Sequence, residues 1–343
     1  MVKRSSYIDI LKAIGIVAIV IGHSSSGLLN AFVYSFHLMV FFFVVGLCFS
    51  DKKAEHPGEF LGKYVIKLLI LYVIYNTFFV MFHNFFVKWS LCSGMWSTRQ
   101  IIEALFYPLT FSSADPFLGA FWFIPMFLTG LFIYIVSFSC AIKTKNPDMA
   151  NLAFLLLWGI GGLLMNSHEI VLGYHIQTSF LAVPMIYAGY YAKRYWSKIE
   201  KGLNLLGCLI SVAVILPILR FVGRIELAAN QIINVWLFYP VTLVGIWFCC
   251  CLAQILNRRK CAKIIAGIGR NSFHIMALHF FAFKLADAGY CAVQGITDHD
   301  IISRYPNSGF SIHILYWVGG VLIPVGTVIL AKYIWKNIWK LVE

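Results

Sequence analysis

Asp9, Lys12 and His23 stand at helical spacing near the start of the chain. A helix advances about 100° per residue, so the eleven steps from Lys12 to His23 end about 20° past three full turns. The two side chains share one face, roughly 16 Å apart along the axis. Asp9 lies one turn before Lys12, close to the same face. One stripe of an otherwise apolar segment thus carries a carboxylate, an ammonium and an imidazole. Imidazole is suited to taking up a proton near neutral pH. His23, several residues inside the outer end of its segment, is the candidate general base, with a hydrogen-bonded structural histidine as the bland alternative. Asp9 and Lys12 are nearer the opposite edge, where a lysine can snorkel to head groups. His37 on the next apolar segment is expected at a depth similar to His23, making a proton-handling pair. The same two rings suit a metal, although no further ligand is obvious at that depth. Lys63 and Lys67, one turn apart, read either as anchors at the membrane edge or as a clamp for phosphates.

The elements that carry these residues follow from composition. Of 343 residues, 60% are hydrophobic and 12% charged, against about 25% charge in an ordinary soluble chain. Such figures exclude a soluble enzyme, a disordered chain and a disulfide scaffold. Continuous rather than alternating apolar runs exclude an outer-membrane barrel. Ten segments are long enough to be read as spans: 10–29, 32–50, 65–87, 117–139, 151–167, 177–192, 203–219, 235–256, 270–290 and 311–332. The predicted fold is a single all-α, polytopic membrane helix bundle. Segment 270–290 is the most polar, with His274, His279, Lys284 and Asp287, and should face other helices or a wet cavity.

Charge sets the orientation. With the N-terminus in the cytoplasm, 19 of the 27 Lys and Arg fall on the cytoplasmic side and six on the other, a strong positive-inside bias. An even number of spans with both termini cytoplasmic follows. The net charge of +13 is then a topology signal, and no nucleic-acid partner is expected. The nine cysteines show no C-x-x-C spacing, so no structural metal is expected. Cys92 and Cys291 fall on the outer side, where a disulfide is chemically open to them.

The order Asp9…Lys12-x10-His23, Phe36-His37…Phe41-Phe42-Phe43…Gly46, Phe121-Trp122-Phe123-Ile124-Pro125 and Ser272-Phe273-His274-Ile275…Leu278-His279 resembles the membrane-bound acyltransferase-3 family. That family includes fucose 4-O-acetylase-like enzymes and O-acetyltransferases of surface polysaccharides. The resemblance runs over nearly the whole chain. It implies a multi-pass protein of the bacterial cytoplasmic membrane that moves an acyl group, usually acetyl, from cytosolic acetyl-CoA to a carbohydrate hydroxyl at the outer face. Acetyl-CoA would be a cosubstrate, with no permanently bound cofactor. His23 would be the base, and His37 or Lys12 would stabilise developing charge. Lys63 and Lys67, with His279, would serve the donor side. Trp122, able to stack on a sugar ring, and Asp9 would serve substrate binding. Family members usually have Arg at the positions of Lys12, Lys63 and Lys67. Lysine keeps the charge and loses the bidentate fork, which leaves a point-charge role. On physical grounds alone a transporter or flippase for a glycan or organic anion is the alternative.

Overall fold

The computed structural model describes residues 6–112, 115–297 and 312–342, apart from the side chains of Phe60, Lys63 and 338–342. Its helices in chain order are α1 (Ser6–Ser24), α2 (Gly27–Tyr34), α3 (Met39–Cys48), α4 (Asp51–Glu55), α5 (Pro57–Lys88), α6 (Thr98–Phe106), α7 (Phe123–Ala141) and α8 (Pro147–Ser167). There follow α9 (Ile176–Arg194), α10 (Trp196–Ile199), α11 (Leu205–Phe221), α12 (Phe238–Asn257), α13 (Ala262–Arg270), α14 (Ser272–Gln294) and α15 (His313–Val342). Among the described residues there is no strand, only one isolated bridge between Glu226 and Gln231. A helix satisfies its own backbone polar groups, which is what a hydrocarbon environment requires. The chain is an all-α polytopic helix bundle.

Each of the ten expected spans falls on a helix. Eight are long and apolar enough to cross a membrane. A ninth arises if Trp196–Gly202 and Leu205–Phe221, bent by 80°, are one span. The remaining expected segment, 177–192, is α9. It carries Gln177, Thr178 and Ser179 near one end and Lys193 and Arg194 at the other, and most of its length is buried. Protein rather than lipid surrounds it, so its polar residues meet other helices. The second span is broken at Ser35–Leu38, which puts His37 in the break between α2 and α3. The fourth enters through a tight 3₁₀ helix, Pro116–Trp122, before α7 begins.

Hydrophobicity does not drive helices together in lipid, so close approach depends on small residues. The α3–α9 crossing shows this: a Cβ at Gly46 would strike the Ile186 carbonyl, and one at Gly189 would strike the Phe43 carbonyl. Helix α1 is the hub, packed by α2, α3 and α12 to α15. In contrast, α5, α8 and α15 are largely exposed and form the apolar perimeter. Helix α13, in a stretch that falls between two expected spans, lies alongside α1. A Cβ at Gly269 would strike the Asp9 carbonyl.

Candidate active site

The α13 contact sets a register. Gly269 is level with Asp9 and Ala13. His279 follows ten residues later on α14, which puts it level with the stretch of α1 that contains His23. The rings meet: His23 Nδ1 and His279 Nε2 are 2.8 Å apart. His279 was expected nearer the inner side. Its depth is corrected because α13 rises into the bundle before α14 begins. The expected pairing of His23 with His37 gives way to this one.

Hydrogen-bond logic fixes the proton positions. His279 Nδ1 lies 3.0 Å from the Ile275 carbonyl and 2.9 Å from that of Met276. A carbonyl only accepts, so His279 Nδ1 carries the proton and Nε2 holds a lone pair. His23 Nδ1–H therefore donates to His279 Nε2. In the neutral ring this leaves His23 Nε2 as a lone pair, the form of a general base. Phe280 stacks on His23, with ring centroids 4.9 Å apart and planes 19° from parallel, and fixes the ring's orientation.

His37 sits across a small cavity from His23, with Tyr34 also in its wall. The Tyr34 and His37 ring centroids are 4.6 Å apart. His37 Nδ1 donates to the Val33 carbonyl at 3.1 Å. By the same logic its Nε2 accepts hydrogen bonds in the neutral state, so neutral His37 does not supply the charge-stabilising donor expected of it. The cavity, about 30 Å³, is also bounded by Trp122 and Glu226. Trp122 thus lines the same cavity as His23 and His37, and His175 packs on its ring with centroids 4.6 Å apart.

A larger cavity of about 550 Å³ opens on the side toward the α1 N-terminus. Ile19, Phe41, Phe123 and Met276 line its inner reach. Each lies within one helical turn of, or next to, a residue of the histidine layer. Asp9, Lys12, Cys48, Lys53 and Lys193 line the other end. Lys12 pairs with Asp9 at 2.6 Å, and Arg270 approaches the same carboxylate at 3.6 Å. Lys12 and Asp9 are therefore mouth residues, well removed from His23; this takes Lys12 away from the reacting carbonyl, and Asp9 does not line the small cavity that Trp122 bounds. Lys67 lies on the exposed face of α5 beside Ile66 and Ile70, away from this cavity. The Lys63 side chain is outside the described residues. Lys53 and Lys193, read in the sequence only as positive-inside charges, stand at this cavity instead. Burial pulls the Lys53 ammonium below its ordinary value, as expected for a cation partly withdrawn from water.

Two further buried clusters lie away from this layer, and the first of them escaped the sequence reading. His83 Nδ1 is 2.8 Å from Asp115 Oδ2, its Nε2 is 2.9 Å from the Gly94 carbonyl, and Trp96 stacks on the ring at 3.7 Å. Asp115 Oδ1 accepts from the Phe117 N–H at 2.9 Å, capping the 3₁₀ helix that delivers Trp122. Burial raises the Asp115 carboxyl above its ordinary value, and the His83 contact opposes that. On α14, Lys284 Nζ lies 3.3 Å from Asp287 Oδ2, and the Tyr316 hydroxyl donates to Asp287 Oδ1. Cys92 and Cys291 are both buried.

The arrangement is a hydrogen-bonded histidine pair between a basic-mouthed cavity and a small polar one. The acyltransferase domain family model matches residues 5–338, nearly the whole chain. Searches among curated proteins and among solved structures give no significant match. With its α-helical membrane bundle and a match of that extent, the chain belongs to the acyltransferase-3 family of membrane acyltransferases.

Proposed function

We propose that this enzyme transfers an acyl group, acetyl in the simplest case, from cytosolic acyl-CoA to a hydroxyl of a cell-envelope carbohydrate in the bacterial cytoplasmic membrane. The observation that carries this reading is the fixed tautomer of His23, with its Nε2 lone pair in the layer between two cavities.

A carbohydrate hydroxyl is a weak nucleophile at neutral pH, and a positioned base contributes about 10² to 10⁴ in rate. The hydroxyl proton passes to His23 Nε2 as its oxygen bonds to the thioester carbonyl carbon. The carbon–sulfur bond then breaks, and the thiolate takes the same proton back from His23. Protons balance without a separate exit path. While His23 is charged, its Nδ1–H bond to His279 becomes charge-assisted and stronger. Such an interaction favours the transition state over the ground state.

Lys12, Lys53 and Lys193 suit the donor's phosphates as point charges. The apolar inner reach of the 550 Å³ cavity suits the neutral arm that bears the thioester. The small cavity beside Trp122 suits the acceptor hydroxyl. The test is thiol release from acyl-CoA by purified protein in lipid nanodiscs, with mass spectrometry of ester on envelope glycans. His23→Ala should remove both signals and leave the folded protein. A folded His23→Ala variant that acylates at the wild-type rate refutes the reading.

A further inference from the structure

Glu226 has no role in the steps above, yet it lines the same cavity as His23, His37 and Trp122. Among the described residues it is the one acidic side chain there. Its loop, 222–237, is built to hold it. The Glu226 N–H donates to the Gln231 carbonyl at 2.8 Å, and the Gln231 N–H donates back at 3.0 Å. Asn230 takes a left-handed conformation, φ 54°, to close this turn. The Asn166 side chain donates to the Asn230 carbonyl and ties the turn to α8. Ile225 and Leu227, on either side of Glu226, are 1% and 5% exposed and anchor the backbone.

We propose that Glu226 recognises the hydroxyl next to the one that is acylated, so that the acceptor class is a vicinal diol such as a sugar ring presents. This rests on the acyl-transfer reading and adds the basis of acceptor choice to it. A cavity of about 30 Å³ admits groups on the scale of one or two water molecules. Two adjacent hydroxyls match that space. One donates its proton to His23 Nε2, and its neighbour donates a hydrogen bond to the carboxylate. A carboxylate has about four lone-pair directions. Arg224 Nη2 approaches Oε2 at 3.3 Å and leaves capacity on Oε1. The Trp122 ring at the cavity wall supplies an apolar face for the ring carbons. His23 alone has no means of telling a diol from a simple alcohol.

The experiment uses the purified full chain in lipid nanodiscs with acetyl-CoA and three probe alcohols: cyclohexanol, cis-1,2-cyclohexanediol and trans-1,2-cyclohexanediol. The readout is the ratio of kcat/KM for diol over mono-alcohol, from alcohol-stimulated thiol release. Wild type should favour at least one diol by about tenfold or more, the scale of a hydrogen bond to a charged acceptor. Glu226→Ala should collapse that ratio toward its statistical value, and Glu226→Asp and Glu226→Gln, which still present an acceptor oxygen, should keep part of it. A wild type without diol preference overturns the proposal, as does a Glu226→Ala variant that retains it. A general loss of activity with the ratio intact also overturns it, because the residue would then only hold the loop. Thiol release that no alcohol stimulates overturns the transfer reading itself, and this proposal with it.

Discussion

Replacing His279 by leucine tests the histidine pair directly. The substitution keeps an apolar side chain of comparable bulk on α14 but removes the acceptor 2.8 Å from His23 Nδ1. His23 becomes an imidazolium as the hydroxyl is deprotonated, so the lost hydrogen bond has a charged donor. Such bonds are worth about 1.5–3 kcal/mol. At 1.36 kcal/mol per decade, kcat should fall about 10- to 150-fold. KM for acyl-CoA should stay at its wild-type value, since Lys12 at the mouth is roughly 16 Å along α1 from His23. His279→Gln presents an amide oxygen to His23 and should recover a substantial part of the loss. The assay is saturation kinetics of thiol release in nanodiscs, with thermal unfolding as a check on folding. A folded leucine variant with wild-type kcat, or a loss confined to KM, refutes the argument.

Three other outcomes are expected. Lys53→Ala and Lys193→Ala should each raise KM for acyl-CoA by about two- to fivefold, the scale of a partly screened ion pair, while Lys67→Ala does not; saturation curves decide. Gly46→Val should leave little folded protein by detergent size-exclusion chromatography, because its side chain would have to occupy the backbone of α9 at Ile186; wild-type recovery contradicts the tight crossing. Asp287→Leu should lower stability by about 3–5 kcal/mol by breaking a buried ion pair, and Lys284→Met/Asp287→Leu should regain most of it; an equally unstable double variant argues against the pair.

What the sequence made legible followed helical periodicity within one segment. The α1 stripe and the inward turn of the polar residues on α14 were both readable, because a buried ionisable group in an apolar run has few tolerable positions. His279, Lys284 and Asp287 are indeed buried. Depth across helices was less legible. Placing His279 beside His23 depends on Gly269 letting α13 settle against α1, a tertiary contact that no single-segment pattern reveals. The basic mouth draws Lys53 from α4 and Lys193 from α9, residues 140 positions apart that read separately as ordinary edge charges. His83 gave no signal because both of its partners, Asp115 and Gly94, come from the long outer connection. The transporter alternative stayed open on intramembrane charge alone, and membership of the family decides it in favour of acyl transfer.

The mouth lysines are not idle cations. Lys53 Nζ donates to the Cys48 carbonyl at 2.7 Å and Lys193 Nζ to the Phe49 carbonyl at 2.6 Å, at the end of α3 where helical carbonyls lack partners. An ammonium has three donors, and each of these bonds uses one of them. The frayed terminus of α3 thus tethers both cations at the entrance before any anion arrives. Under the proposed docking, an incoming pyrophosphate adds to these contacts without displacing them, and the two long side chains have less freedom left to lose on its capture.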